Sequence, residues 1–237
     1  MGETVKLGLP LVEASQAQKH VTVNEALARV DTLTQLTFVS RSVGAAPIDE
    51  TDGAAYWVPA GATGAWEGRD GRVALWLNQG WTYLTPATGW RAWIADEGAP
   101  AMFDGVDWLT GTGSVSPNGA AMTMRVIEID HPVGAGASSV TVPVIPAQTL
   151  VFGVTGRVVA EITGTATAWR LGIGSASDDR YGSGLGLVAD SWVRGLTSSP
   201  LAYYEDTALT LTAEGGDFAG GTVRLAVHVA ELALPRG

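Results

Sequence analysis

The chain has 237 residues, enough for one large or two small domains that each bury a real core. It is 46% apolar and only 16% charged, with 31 glycines and a formal net charge of −10. That balance excludes a disordered chain, its 14 scattered basic residues argue against a nucleic-acid partner, and the absence of cysteine excludes disulfides, thiolate nucleophiles and zinc–thiolate sites.

Residues 1–10 lack a basic segment followed by an apolar one, the pattern of a secretory signal. No apolar run approaches membrane-spanning length. The expectation is synthesis in the cytoplasm, release by lysis and no membrane insertion.

Ser15 and Gln18 have capping-box spacing, which predicts a helical turn over 14–20. Thr22 and Glu25 repeat it, and Val23, Leu27, Val30, Leu33 and Leu36 then recur at three- and four-residue steps. This is the one clear amphipathic helix, supported by Glu25 and Arg29 four apart. Its stripe is too short for a free coiled coil, so it packs on the β-structure or against copies of itself.

After Arg41 the texture changes. Seven of the nine tryptophans, Trp57, Trp66, Trp76, Trp81, Trp90, Trp93 and Trp108, fall in short runs separated by Gly and Asp turns. Strands are predicted over 54–59, 65–67, 73–78, 81–84, 90–95, 101–103 and 106–109, as hairpins and a meander. Asn78-Gln79-Gly80 and Asp70-Gly71 are the clearest turns. Most of the seven rings are expected to fill the core, with two or three presented.

Residues 110–118, Thr-Gly-Thr-Gly-Ser-Val-Ser-Pro-Asn, read as a linker. Beyond it, alternating Val, Thr and Ala predict strands over 123–129, 139–145, 150–162, 168–173, 191–196, 209–213 and 222–232. The last is the cleanest: Val223, Leu225, Val227 and Val229 face one way, Arg224, Ala226, His228 and Ala230 the other. The fold class is therefore mainly β. A short N-terminal helix with a small Trp-rich β-hairpin module over 1–109 precedes an antiparallel, jelly-roll-like β-sandwich over 119–237. Residues 174–184 and 197–206 are its candidate functional loops.

Catalytic signals are sparse. His20, His131 and His228 lie in separate segments, so neither a nucleophile–base triad nor a histidine metal site is indicated, and no cofactor is called for. Paired carboxylates are the remaining enzymatic route: Asp96-Glu97, Glu128 with Asp130 on one strand face, Asp178-Asp179 and Glu205-Asp206. Such pairs are more often solvated turn residues. The Gly182–Gly186 run has no helix after it and reads as a turn.

Adhesion fits better. Aromatic faces stack on pyranose rings while polar side chains take hydroxyls. The candidates are Trp81, Tyr83, Trp90, Arg91, Asp178, Asp179, Tyr181, Trp192, Tyr203 and Tyr204. Trp90 and Trp93 face opposite ways on a strand, so one is core and the other surface. An acidic chain repels acidic polysaccharide in general, though not at a local patch. Single-site affinity on such a platform is weak and needs many copies.

The run from Gly8 to Leu27, with its Gln-Ala-Gln-Lys-His-Val core, resembles the opening of a phage-encoded domain family of alphaproteobacteria. Asp52-Gly53, Tyr56-Trp57-Val58, the stretch 61–68, the stretch 89–98 and Phe103-Asp104-Gly105 extend the resemblance over roughly residues 5 to 109. That family includes head-spike and head-fibre proteins of gene transfer agents. The resemblance implies a non-enzymatic component of a virion or phage-like particle that attaches it to cell-surface capsular polysaccharide. The N-terminal part would dock on other virion proteins or organise a homo-oligomer, a trimer or alternatively a pentamer. The alternatives are a glycan grip made by the tryptophan module with the sandwich as spacer, a purely structural spike or fibre base, and a polysaccharide depolymerase using Glu128 or Asp178.

Overall fold

The computed structural model describes residues 2–12 and 19–237, which form two compact units, Met1–Gly119 and Ala120–Gly237. In the first unit, helix α1 (Lys19–Thr34) is already helical before Thr22. Thr22 therefore cannot cap it, and the Thr22/Glu25 spacing is a helix-interior coincidence. The predicted Ser15/Gln18 cap falls outside the described residues.

The helix does not bury the whole predicted stripe. Leu36, just past its end, is core, and Leu27 and Leu33 are half-buried, but Val21, Val23 and Val30 face solvent. What α1 buries instead is a carboxylate. Asp31 accepts hydrogen bonds from the Thr4 hydroxyl (2.7 Å), the Lys6 amide (2.9 Å) and the Leu7 amide (2.6 Å). These tie the N-terminal turn to the helix. Desolvation opposes the Asp31 charge, but the three donors and the Lys6 ammonium outweigh it and hold the carboxyl below its usual range.

The Trp-rich segment forms strands β1 (Thr37–Ser40), β2 (Ala55–Trp57), β3 (Val73–Leu77), β4 (Gly80–Leu84), β5 (Arg91–Ile94), β6 (Ala99–Phe103) and β7 (Trp108–Thr110). They make a seven-stranded sheet in the order β4-β3-β2-β1-β5-β6-β7. The hairpins are as expected, and Asn78 and Gln79, both at positive φ, form the two-residue β3–β4 turn. The centre is not a meander. β1, hidden in the sequence behind the helical stripe, pairs parallel with both β2 and β5. The run around Trp66 is a 3-10 turn (Gly64–Trp66), not a strand.

Alternation along β2 sends Ala55 and Trp57 to one apolar cluster, with Phe38, Phe103 and Trp108, and Tyr56 and Val58 to another, with Trp66 and Ala74. The rings meet edge-on or tilted, as at Phe38–Trp108 (4.9 Å, 84°) and Trp66–Trp81 (5.1 Å, 74°). Strand β8 (Thr112–Val115) lies within the stretch 110–118 expected to be a linker.

The second unit contains β9 (Ala121–Pro132), β10 (Ser138–Ile145), β11 (Thr149–Gly164), β12 (Ala168–Ile173), β13 (Ser177–Leu185), β14 (Trp192–Tyr203), β15 (Thr207–Glu214) and β16 (Phe218–Ala233). One sheet runs β10-β15-β12-β13; in the other, β14, β11, β16 and β9 are successive neighbours. Counting these eight strands from β9, the orders are 2-7-4-5 and 6-3-8-1, the two interleaved Greek keys of a jelly roll. Both sheets feed one core, in which Val223, Leu225, Val227 and Val229 meet Trp169, Leu171, Leu209 and Leu211. Both candidate loops prove to be largely strand: β13 occupies most of 174–184 and β14 extends through Tyr203. Their polar residues satisfy the alternation on an exposed strand face as well as they would a loop. Among the described residues no helix is long and apolar enough to cross a membrane.

Replacing Asp31 by alanine leaves one hydroxyl and two amides without their acceptor, and should cost about 1–3 kcal/mol. A lower melting temperature and faster proteolysis near residues 2–12 are expected. Because the native Asp31 pKa is depressed, the unfolded chain takes up that proton first. The stabilisation is complete above about pH 5, begins to fall near the unfolded value of about 4 and is lost as pH falls through the lower native value. The gap in melting temperature between wild type and Asp31→Ala should therefore close on acidification; a gap independent of pH would refute the charged clasp.

Candidate functional site

The outward face of the β14-β11-β16-β9 sheet gathers the most chemistry. Cross-strand register aligns Trp192, Arg157, Arg224 and Asp130 in one row across four strands. The next row on the same face holds Arg194, Thr155, Ala226 and Glu128. All of these side chains except Asp130 line an open trough of about 600 Å³. Trp192 stands at its rim with 64% of its surface exposed.

Two of the three arginines are braced. Arg224 donates both arms of its guanidinium to Asp130, at 2.6 and 2.7 Å, with Glu128 3.8 Å away. The Arg224 hydrogen bonds hold the Asp130 carboxyl below its usual range. Arg157 reaches Asp190 at 3.3 Å. Arg194 lies over the Trp192 ring, its guanidinium carbon 5.8 Å from the ring centroid, and makes no ion pair among the described residues. On the next row, the Thr155 hydroxyl and His228 Nε2 are 2.9 Å apart. The trough thus offers an exposed aromatic ring, three cations spread over β14, β11 and β16, and the Thr155 hydroxyl and Glu128 carboxylate as acceptors among them.

The other expected site residues scatter. Tyr181 and Tyr203 are buried in the jelly-roll core with their hydroxyls 2.7 Å apart, and burial, then this bond, pushes the Tyr181 pKa up. Neither is a surface binder: both obey the strand alternation that carries their side chains inward. Tyr204, next to Tyr203, is 72% exposed beside Arg180 in a separate shallow trough. Asp178 is paired with Arg170 at 3.3 Å, and Asp179 is exposed on β13.

In the first unit Trp81 is wedged among Tyr56, Trp66 and Trp76 at 5.0–5.9 Å. The Tyr83 hydroxyl donates to the Ala65 carbonyl at 2.6 Å, with Arg69 over its ring. Both are half-buried and held in place by these contacts. Of the Trp90/Trp93 pair, Trp90, the one named as a site residue, is half-buried against the core, whereas Trp93 is the surface member, 45% exposed and sharing a groove with Arg91. Alternation pairs Arg91 with Trp93 opposite Ala92 and Ile94, a signal present in the sequence. Arg157, Arg194 and Arg224 come from three strands, and nothing in the sequence pairs them.

The sequence also does not pair His131 and Ser139, which the fold brings together. The His131 Nε2 and Ser139 Oγ are 2.8 Å apart, and Oγ accepts the Gly134 amide at 2.8 Å. Both side chains are buried, and burial lowers the His131 pKa. The pair ties the end of β9 to β10, with no acid orienting the imidazole among the described hydrogen bonds.

Residues 23–109 match a family described as a protein of unknown function, DUF2793. No curated protein matches the chain. Among solved structures, a chain of the cyanophage Pam1 capsid asymmetric unit is similar over 46% of this chain and 84% of its own length, at 19% identity and a TM-score of 0.33.

Acrylamide should quench Trp93 and Trp192 first. A Trp93→Phe, Trp192→Phe double variant should lose most of the readily quenched emission, whereas Trp66→Phe should leave it in place. Unchanged quenching in the double variant would mean that neither ring is open to a ligand.

Proposed function

We propose that this chain is a component of a phage-like particle, a head spike or head fibre, that attaches the particle to capsular polysaccharide without cleaving it. The observation that carries this reading is Trp192, solvent-exposed at the rim of a trough furnished with Arg157, Arg194, Arg224, Thr155 and Glu128. An open aromatic ring flanked by braced hydrogen-bonding groups suits a pyranose, which presents one apolar face and a fringe of hydroxyls. Jelly rolls serve as viral capsid and lectin domains, an analogy of fold that agrees with the site without replacing it. The resemblance of the N-terminal half to phage-encoded structural domains supplies the particle.

The carboxylates favour binding over turnover. Glycoside cleavage needs one protonated acid and a second carboxylate free to act as nucleophile or base. Asp130 is engaged by Arg224, which keeps it ionised, and Glu128 shares the same guanidinium. A second reading, in which the tryptophan module grips the glycan, has its own support in the exposed Trp93 beside Arg91.

Retention of the purified chain on capsular polysaccharide from candidate host cells, with the polymer sized before and after, separates these readings. The expected result is retention at unchanged polymer length, lost in Trp192→Ala and kept in Trp93→Ala. The reverse pattern transfers the site to the first unit. Shortened polymer overturns the non-enzymatic reading, and absence of retention overturns attachment in favour of a structural role.

The first unit also supports self-association. Val21, Val23 and Val30 leave part of α1 apolar and solvent-facing, as an oligomer contact requires. Light scattering should report a trimer, or alternatively a pentamer, and a Val23→Lys, Val30→Lys variant should be monomeric. A monomeric wild type at high concentration refutes the contact.

A further inference from the structure

Resting on the glycan-binding reading, we infer that the trough selects a carboxylated sugar: its aromatic rim and paired guanidinium groups fit a uronic-acid pyranoside within an anionic polysaccharide. Electrostatics makes the argument. The chain carries a net charge of −10, so its surface as a whole repels an anionic polymer. The trough offsets that sign locally: it is lined by three arginines and one carboxylate, Glu128, and although Asp130 clamps Arg224 and exposed Asp190 reaches Arg157, Arg194 has no acidic partner among the described ion pairs. It gathers three of the seven arginines in the second unit, which has no lysine. A site built for neutral hydroxyls alone has no need of such a concentration.

The charges are also sorted. Asp130 and Glu128 sit on β9 and engage Arg224, leaving the β14–β11 side to Arg194 and Arg157. Register places Arg194 opposite Thr155 and Trp192 opposite Arg157, so the two arginines are diagonal neighbours on one face, a spacing that long side chains bridge. Arg157 has only the highly exposed Asp190 at 3.3 Å, and Arg194 has no acidic partner among the described ion pairs. A carboxylate between them completes charge-assisted hydrogen bonds that the protein leaves open. The pyranose ring then stacks on the free face of Trp192, and its hydroxyls point towards Thr155 and Glu128. Arginine is the suitable residue because its planar fork matches a carboxylate, which a lysine ammonium does not.

Polygalacturonate, alginate and hyaluronate are the anionic probes, with fully methyl-esterified polygalacturonate and dextran sulfate as controls, each titrated by calorimetry at two salt concentrations. At least one polyuronate should bind the full-length protein, with the ester and the sulfate at least tenfold weaker. Arg194→Gln should lose about tenfold or more in affinity, Arg194→Lys should recover only part of it, and both should keep the wild-type melting temperature because the side chain is exposed. Equal binding of the ester, abolished by Trp192→Ala, overturns carboxylate selection and leaves the glycan reading intact. Equal binding of dextran sulfate reduces the site to unspecific charge and overturns it as well. Failure of all three polyuronates while the capsular polysaccharide is retained overturns the inference alone; failure of both overturns the glycan reading too.

Discussion

The register between β11 and β16 is the constraint on which the second unit depends. These two long strands lie side by side in the middle of one sheet and set the phase of their neighbours β14 and β9. Because strand side chains alternate, a slip of one residue would carry Val223, Leu225, Val227 and Val229 into water and Arg224 into the core. Burial of an unpaired arginine is costly enough to forbid it. Close backbone approach supports the same phase. At Gly156 any Cβ would lie 2.7 Å from the Arg224 carbonyl, and at Gly195 one would lie 2.3 Å from the Tyr181 carbonyl. The glycine that lets β11 and β16 meet sits between Thr155 and Arg157, so the device that fixes the core also aims the trough.

The two units use aromatic residues for different ends. In the first, Trp57, Trp66, Trp76 and Trp108 are buried and Trp81 is enclosed by other rings, so the tryptophan density is mainly an answer to building cores on both faces of a small sheet. The indole N–H groups of Trp66 and Trp108 find no partner among the described residues, so shape and apolar area outweigh two hydrogen bonds there. In the second unit aromatics are few, and one of them, Trp192, is placed where a packing role cannot explain it. Concentration in sequence marked the core; isolation on a sheet face marks the candidate site.

Bracing makes the trough more than a patch of charge. The Asp130 clamp fixes Arg224 and the Trp192 ring lies under Arg194, so less side-chain freedom is lost when a ligand arrives. The site remains shallow and open, a geometry that yields modest affinity for any one small ligand. Under the attachment proposed above, repetition on a particle would convert such a contact into firm binding, because each further contact is intramolecular. Sheet-face chemistry, exposed α1 valines and a cysteine-free β-framework are mutually consistent with one part in a multivalent assembly.

The sequence by itself determined the mainly β class, the hairpins of the Trp-rich segment, the inward and outward faces of β16 and the sharing of one face by Glu128 and Asp130, since each follows from local period or turn chemistry. It misplaced what depends on partners distant in the chain. β1 falls between the helical stripe, which ends at Leu36, and the predicted strands, and only its two parallel neighbours make it a strand, while Tyr181 and Tyr203 read as loop aromatics until strands β13 and β14 turn them inward. Trp192 was legible as a candidate, but its setting was not. Arg157, Arg194 and Arg224 are separated by 30 or more residues and meet only through cross-strand register, which alternation constrains to a face but does not fix to a position. Local chemistry chose which residues face water; long-range pairing alone decided which of them stand together.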